Sequence, residues 1–531
     1  MKQEAYLMPV FNAHMPFVRS NDALYSTEGN WLFETIAETY LPMLEMFDRL
    51  EEENIEFKVT ISISPTLLSM IDNDAFIDSF ITHMEHKIRL GESEFRRSEG
   101  NPSLNKIAGL YLERFKGELE YFKKNCGGRI LGRLLELSLK GRIELITSAA
   151  TYAFLPLLRV TRRGVETQID VGLDIFEEHI GRKLGKKPTG FWLPECGYSP
   201  GLEYYLEDRG IKYSFLDTHG VLFAEKKPKY GIYAPIKAPN GVTFFGRDIL
   251  STRDVWSASS GYLNDISYRD SHRDIGFELP SEYLKKFFPE RKVSFCTGYK
   301  YRSRKEGVEE NYYDPEVASR KALEHAENFV YRRINNIEKA SEMMDRSPVI
   351  VFAYDAELFG HMWYEGIEWM ENVFRIFNSR KPGIKFITGE DYLEMYPENQ
   401  PVLPSYSSWS EAGYSEELLD KENDWIYRHI HKSMERMNEL ARRYGDARGI
   451  IKRALNQAAR EALLAQSSDW ALMIKTYQNS YIGSRRIKEH LYNFNRLYSS
   501  ILADRIDEQW LVQLEKSNNI FPKIDYKIFK D

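Results

Sequence analysis

Residues 347–366 read SPVIVFAYDAELFGHMWYEG: an unbroken apolar run, 349–354, hands an acid, Asp355, to a segment broken by Gly360 and rich in rings. A run of this length is strand-sized, and its lack of polar alternation suits a strand buried on both faces, as in parallel sheets. Residues 190–198, GFWLPECGY, repeat the arrangement, with Pro194 and Gly197 stopping regular structure around Glu195. Outward from these two, similar runs fall at 4–12, 57–63, 142–147, 189–193, 212–216, 242–245 and 385–387. Helical patterns such as 31–53 and 201–209 fill most gaps. Strand–helix alternation predicts parallel strands covered by helices. Seven or eight such units predict a closed or nearly closed (β/α) barrel whose chemistry sits at the C-terminal strand ends.

Two segments break the alternation. Residues 67–128 have helical periodicity and no convincing strand. From about Ser405 onward the chain reads as helix throughout: Ile430, Met434, Met437, Ala441 and Tyr444 form one apolar stripe, and Ile451, Leu455, Ala458 and Ala462 form another. The expected division is therefore a barrel over 1–66 and 129–400, a helical insertion over 67–128 and a helical domain over 401–531.

The chain has 531 residues, 72 basic against 79 acidic, for a formal charge of −7. That balance excludes nucleic-acid binding by bulk positive charge. Three cysteines, Cys126, Cys196 and Cys296, are too few for a disulfide framework. No apolar run approaches the ~18 residues of a membrane span, and Glu4 in a short N-terminal run argues against a signal peptide; a cytoplasmic location is expected. Aromatic residues make up 14%, 33 of them Tyr, 30 Phe and 9 Trp. Rings pack cores, and they also stack on sugars.

Glu195 and Asp355 each end a strand-like run at what should be the open rim. Either could simply cap the next helix. Both, however, have rings beside them in sequence: Trp192 and Tyr198 by the first; Tyr354, Phe359 and Trp363 by the second. Paired acids with ring platforms are what acetal cleavage needs, one carboxylic acid to protonate the leaving oxygen and one carboxylate to meet the oxocarbenium-like carbon. His14 and Trp31 and Trp256 read equally well as a satisfied barrel-mouth histidine and core tryptophans. His429 and His431, at i and i+2 on a helix, do not share a face for a metal. Cys196 reads as a small packing residue. The isolated His14 and His219 do not supply the ligand cluster of a metal-dependent deacetylase. No metal or cofactor is expected, and the oligomeric state stays open.

WLPECGY and FAYDAELFGHMWYEG together resemble the signature pair of glycoside hydrolase family 57, retaining enzymes that act on α-glucans. NAHMPF around His14, residues 141–158 and residues 407–431 resemble three further regions in the same order, and AQSSDWALMIK (465–475) is similar to the C-terminal helical domain of the branching-enzyme subgroup. The resemblance covers nearly the whole chain. It implies a distorted (β/α)7 barrel, Glu195 as nucleophile and Asp355 as general acid/base. It places His14, Trp31, Arg247, Trp256, Trp409 and Asp469 in the substrate site, with His219 beside them. It also implies a 1,4-α-glucan branching enzyme, or an α-amylase-like hydrolase working with the same residues.

Three positions depart from the pattern. Tyr152 stands where the family usually has His, Leu418 where branching members tend to have Trp, and the stretch from Glu195 to Arg247 is short for a mobile loop with a catalytic tyrosine. Tyr230 or Tyr233 would have to serve instead. The short stretch favours hydrolysis; the C-terminal likeness favours branching. A decayed, glucan-binding protein is the remaining alternative.

Overall fold

The computed structural model describes residues 4–19, 22–24, 26–289, 291, 294–305, 311–380, 383–477 and 479–530. Its sheet is built from β1 (Ala5–Ala13), β2 (Val59–Ile63), β3 (Ile143–Ser148), β4 (Gly190–Trp192), β5 (Tyr213–Leu216), β6 (Ile236–Lys237), β7 (Thr243–Gly246), β8 (Val349–Asp355), β9 (Ile384–Phe386) and β10 (Gln400–Pro401). Strands β8, β1, β2, β3, β4, β5 and β7 follow one another in parallel. A parallel bridge between Arg247 and Val351, with the Asp248 N–H donating to the Val351 carbonyl at 2.7 Å, joins the far edges. The result is a seven-stranded barrel, narrowly closed between β7 and β8.

Strands covered by helices on one side and by the barrel interior on the other must be apolar on both faces. Accordingly β1 and β2 are buried at every position, and β8 at all but Asp355. Pro9 lies inside β1 yet breaks no ladder. Odd-numbered residues of β1 face β9 over Ala5–Leu7 and β2 over Val10–Ala13, and the missing N–H of Pro9 falls in the gap between these partners.

Helices Pro65–Ile71, Asp74–Arg97 and Pro102–Lys124 follow β2. Two stretches differ from the sequence expectation. The described residues of the stretch 257–314, expected to belong to the barrel, form only short helical turns, and they meet the insertion helices, where the Tyr299 hydroxyl donates to the Lys87 carbonyl and Tyr111 to that of Lys300. Residues 402–424, expected as helix, are irregular and cross the C-terminal strand ends, bridging Ser407 to Tyr198. Helices resume with Trp425–Arg443, Gly449–Ala465, Ser468–Thr476, Ser480–Leu502 and Glu508–Ser517. Two short strands also escaped the sequence reading: β6, antiparallel to β7, and β10 beside it. No described helix is long and apolar enough to cross a membrane.

Candidate active site

Glu195 stands just beyond β4. Pro194 ends the strand, and a tight turn over Pro194–Cys196 places Glu195 at φ 59° and Cys196 at φ 49°. Two consecutive left-handed non-glycine residues cost on the order of 1–2 kcal/mol each. The turn is held by Cys196 N–H to the Leu193 carbonyl and by the Trp409 N–H donating to the Glu195 carbonyl, both at 2.9 Å. Trp409 also donates its indole N–H to Glu195 Oε2 at 2.8 Å. Cys196 is buried, and burial pushes its thiol well above the usual range, as suits a packing residue.

Asp355 ends β8 in register with Asn12 of β1, whose side-chain amide donates to Asp355 Oδ1 at 2.8 Å. The same amide donates to the Tyr152 hydroxyl at 2.8 Å, and that hydroxyl also accepts the Trp192 indole N–H at 3.1 Å. Trp192 in turn meets Trp409 edge-on, with ring centres 5.1 Å apart. A chain of contacts thus runs from Asp355 through Asn12, Tyr152, Trp192 and Trp409 to Glu195. Asp355 is accessible at the strand end and Glu195 is partly so.

Burial is the first cause lifting Glu195 to about 8, the charge of Asp355 adds to it, and the Trp409 N–H opposes it. Protein packed around Asp355 on its inner sides raises its carboxyl too, against the Asn12 amide and the cations of His14 and Arg247. The charge of Asp355 thus acts on Glu195, and burial raises both carboxyls.

Around this pair stand two further acid–base couples. His14 Nε2 lies 3.1 Å from both oxygens of Asp469, and Nδ1 lies 2.9 Å from Ser64 Oγ. Its ring stacks on Tyr152 at 3.8 Å. Burial would raise Asp469, but His14 and Ser467 outweigh it and keep the carboxyl low. Arg247 donates to Asp217 Oδ2 at 2.5 Å and lies 5.1 Å from the Trp409 ring centre. His219 sits on the other side of Asp217 at 3.2 Å and contacts the Gly413 carbonyl at 2.8 Å. Burial opposes, but Arg247 and His219 hold Asp217 below the usual carboxylate range. Residues 466–469 reach the site through a bridge from Ser467 to Ala153 and the Ser468 hydroxyl donating to the Tyr152 carbonyl at 2.7 Å.

The structure therefore brings together Glu195, Asp355, His14, Tyr152, Trp192, His219, Arg247, Trp409 and Asp469. Other expected positions lie elsewhere. Tyr354, Phe359 and Trp363 are buried in the layer behind β8, so no ring face is open to a ligand; the Tyr354 hydroxyl donates to the Ser251 carbonyl. Their neighbourhood to Asp355 in sequence reflects core packing. Trp192 is fully buried as well, and acts on the site through its N–H. Trp31 packs half-buried against the barrel core, and Trp256 is 47% exposed. Neither makes a hydrogen bond or ring contact with the acids among the described residues.

Tyr230 and Tyr233 cannot reach the acids. The Tyr233 carbonyl accepts from Val349, the first residue of β8, about 20 Å from Asp355 along the strand. Leu418 is core, so its position offers no platform. His431 contacts the Leu157 carbonyl, away from His429. Sequence reasoning missed Asn12, Asp217, Ser64 and Glu357. Asn12 and Glu357 lie within two residues of His14 and Asp355, but only the register reveals that they face the site.

Glu34, Asp274 and Cys296 bring donor atoms within 4.8 Å of one another. Asp274 is already spent on the Gly276, Thr297 and Gly298 amides and the Thr297 hydroxyl. Lys300 and Lys87 add positive charge beside Glu34. The group fits an ion-paired core better than a cation site.

Comparison with known proteins identifies the family. The family model of glycosyl hydrolase family 57 matches residues 9–404, and that of the 1,4-alpha-glucan branching enzyme C-terminal domain matches 429–529. A 1,4-alpha-glucan branching enzyme of Thermococcus kodakarensis is 29% identical over 98% of this chain and 77% of its own length. Among solved structures, an alpha-amylase from Thermotoga maritima is 36% identical, with a TM-score of 0.90 over 100% of this chain and 99% of its own. A GH57-type branching enzyme from Pyrococcus horikoshii is 30% identical, with a TM-score of 0.89 over 100% and 97%. With its barrel spanned by the family model and its whole length superposing on these relatives, the chain belongs to glycosyl hydrolase family 57.

Proposed function

We propose that this protein cleaves α-1,4 bonds of α-glucans with retention and passes the cut chain to a 6-hydroxyl, as a 1,4-α-glucan branching enzyme. Glu195 attacks the anomeric carbon and forms the glycosyl-enzyme. Asp355 protonates the leaving oxygen, then removes the proton from the accepting hydroxyl. The observation that carries this reading is the pair of carboxyls at the ends of β4 and β8, joined by one chain of hydrogen bonds and ring contacts through Asn12, Tyr152, Trp192 and Trp409.

Catalysis needs Glu195 ionised and Asp355 protonated. The Trp409 N–H favours charge on Glu195, and a bound sugar between the acids completes the separation. Trp409 is the ring best placed to meet a glucose face, whereas Arg247, Asp217, His14 and Asp469 offer fixed polar groups for hydroxyls. Trp31 and Trp256 are assigned to more distant sugar positions. No metal or cofactor enters the scheme, and a cytoplasmic location suits glycogen-like substrate.

Hydrolysis is the second reading. It is favoured by the stretch between Glu195 and Arg247, which folds into β5, β6, β7 and short helices and leaves no long lid to exclude water from the intermediate. Amylose separates the two: falling iodine colour with new α-1,6 linkages supports branching, and rising reducing ends without them supports hydrolysis. Glucan binding without any turnover overturns both.

A further inference from the structure

Helix Thr27–Thr35 continues through a π turn, Ile36–Tyr40, into helix Leu41–Glu52. Such single turns recur at functional sites, because the extra residue re-aims the side chains around it. Here two polar side chains of the turn, Glu38 and Tyr40, meet the loop that follows Asp355. The Tyr40 hydroxyl donates to Glu357 Oε1, and Glu38 Oε2 lies 3.0 Å from His361 Nδ1. The approach is close enough to demand glycine between them: at Gly360, φ 89°, a Cβ would stand 1.8 Å from the Glu38 carbonyl oxygen. Arg269 closes the same loop from outside, donating to the Gly360 and His361 carbonyls at 3.4 and 3.2 Å.

Glu357 is the point where this clamp touches the candidate site. Its Oε1 accepts from Tyr40 and also from the backbone N–H of His14, at 3.1 Å. One carboxyl therefore ties the loop after β1, which carries His14, to the loop after β8, which carries Asp355. We propose that Glu357, aimed by Tyr40 from the π turn, is a positioning residue that fixes the spacing of Asp355 and His14. The inference rests on the acid/base assignment of Asp355.

The charged and titratable groups around this corner are Asp355 on β8, His14 after β1, Tyr40 on the π turn, Arg247 after β7 and Asp469 from the C-terminal helices. Burial and the charge of Asp355 raise Glu357 to about 8, while Tyr40 and the His14 amide oppose.

Two full-length variants test this, Glu357→Gln and Tyr40→Phe, with Asp355→Asn as reference, each assayed on maltooligosaccharide and on an activated aryl α-maltooligoside. Glu357→Gln should lower kcat by about 10- to 100-fold on the unactivated substrate, a part of the full ~10²–10⁴ contribution of a general acid. The loss on the aryl substrate should stay within about 3-fold, and KM should hardly move. Tyr40→Phe, which leaves the carboxyl in place and removes one small donor, should show the same leaving-group dependence more weakly. Equal losses on both substrates, or wild-type rates in both variants, overturn the inference while leaving-group dependence in Asp355→Asn keeps that assignment standing. Absence of the dependence in Asp355→Asn as well overturns the assignment and the inference with it.

Discussion

The two strand ends that carry Glu195 and Asp355 are built in opposite ways. Asp355 finishes a long regular strand, is aligned by a register partner on β1, and owes its surroundings to the barrel and its first helix. Glu195 follows a three-residue strand, sits on left-handed backbone, and is held by a segment from beyond residue 400 that pairs with it through both the backbone and the indole of Trp409. One acid is secured by the sheet, the other by a strap laid across it. Changes in the strap should therefore be felt first by the nucleophile, and changes near β1 by the acid/base.

The largest expected effect is on Glu195 itself. Glu195→Gln should cost about 10⁴-fold or more in kcat/KM, as removal of a nucleophile generally does, and should abolish trapping of a glycosyl-enzyme seen by mass spectrometry. The same variant should gain thermal stability at high pH. Because Glu195 is raised to about 8 in the folded chain, the native site keeps a proton that the unfolded chain has lost above the ordinary carboxylate range. Stability therefore falls as pH rises through that window, and the variant escapes the loss. The difference in Tm between variant and wild type should be smallest near about pH 4, open steadily as pH rises, and level off above about pH 8.

Next comes the strap. Trp409→Phe keeps a ring but removes the N–H to Glu195, a charge-assisted hydrogen bond of about 1.5–3 kcal/mol, or roughly 10- to 150-fold in rate. Since that donor lowers Glu195, the acid limb of kcat/KM should move to higher pH, and an unmoved limb would dissolve the distinction between the two ends. On the β1 side, Asn12→Leu should cost about 10-fold and shift the alkaline limb upward, because the Asn12 amide lowers Asp355. The smallest catalytic effect belongs to Trp363. Trp363→Phe, inside the buried layer behind β8, should change kcat less than about 3-fold while costing stability by chemical denaturation, on the order of 1–3 kcal/mol for a core truncation.

Much of the barrel was legible because parallel strands buried on both faces read as plain apolar runs; β1, β2 and β8 are the clearest cases. What escaped had no such signal. Strands β6 and β10 are two residues each, and residues 257–314 and 402–424 carry neither helical nor alternating period, being held by contacts to distant parts. The same holds within the site. Glu195 and Asp355 announce themselves as acids ending strands, but the route joining them passes through Asn12, Tyr152 and Trp192, which only the register assembles. Rings near Asp355 in sequence misled for a related reason: Phe359 and Trp363 are adjacent along the chain and face inward. Tyr152 keeps a place in the site by stacking on His14 and accepting from two donors.

The contact between His14 and Asp469, together with Trp409 on Glu195, has a bearing on how the protein comes into being. A chain still on the ribosome carries both acids long before the partners that complete their surroundings have been made. Until the region around residue 469 leaves the exit tunnel, the barrel has an unfinished mouth. Cleavage of glucan should therefore begin only after the region around residue 469 has emerged, and a nick in the strap should silence the enzyme while leaving the barrel folded.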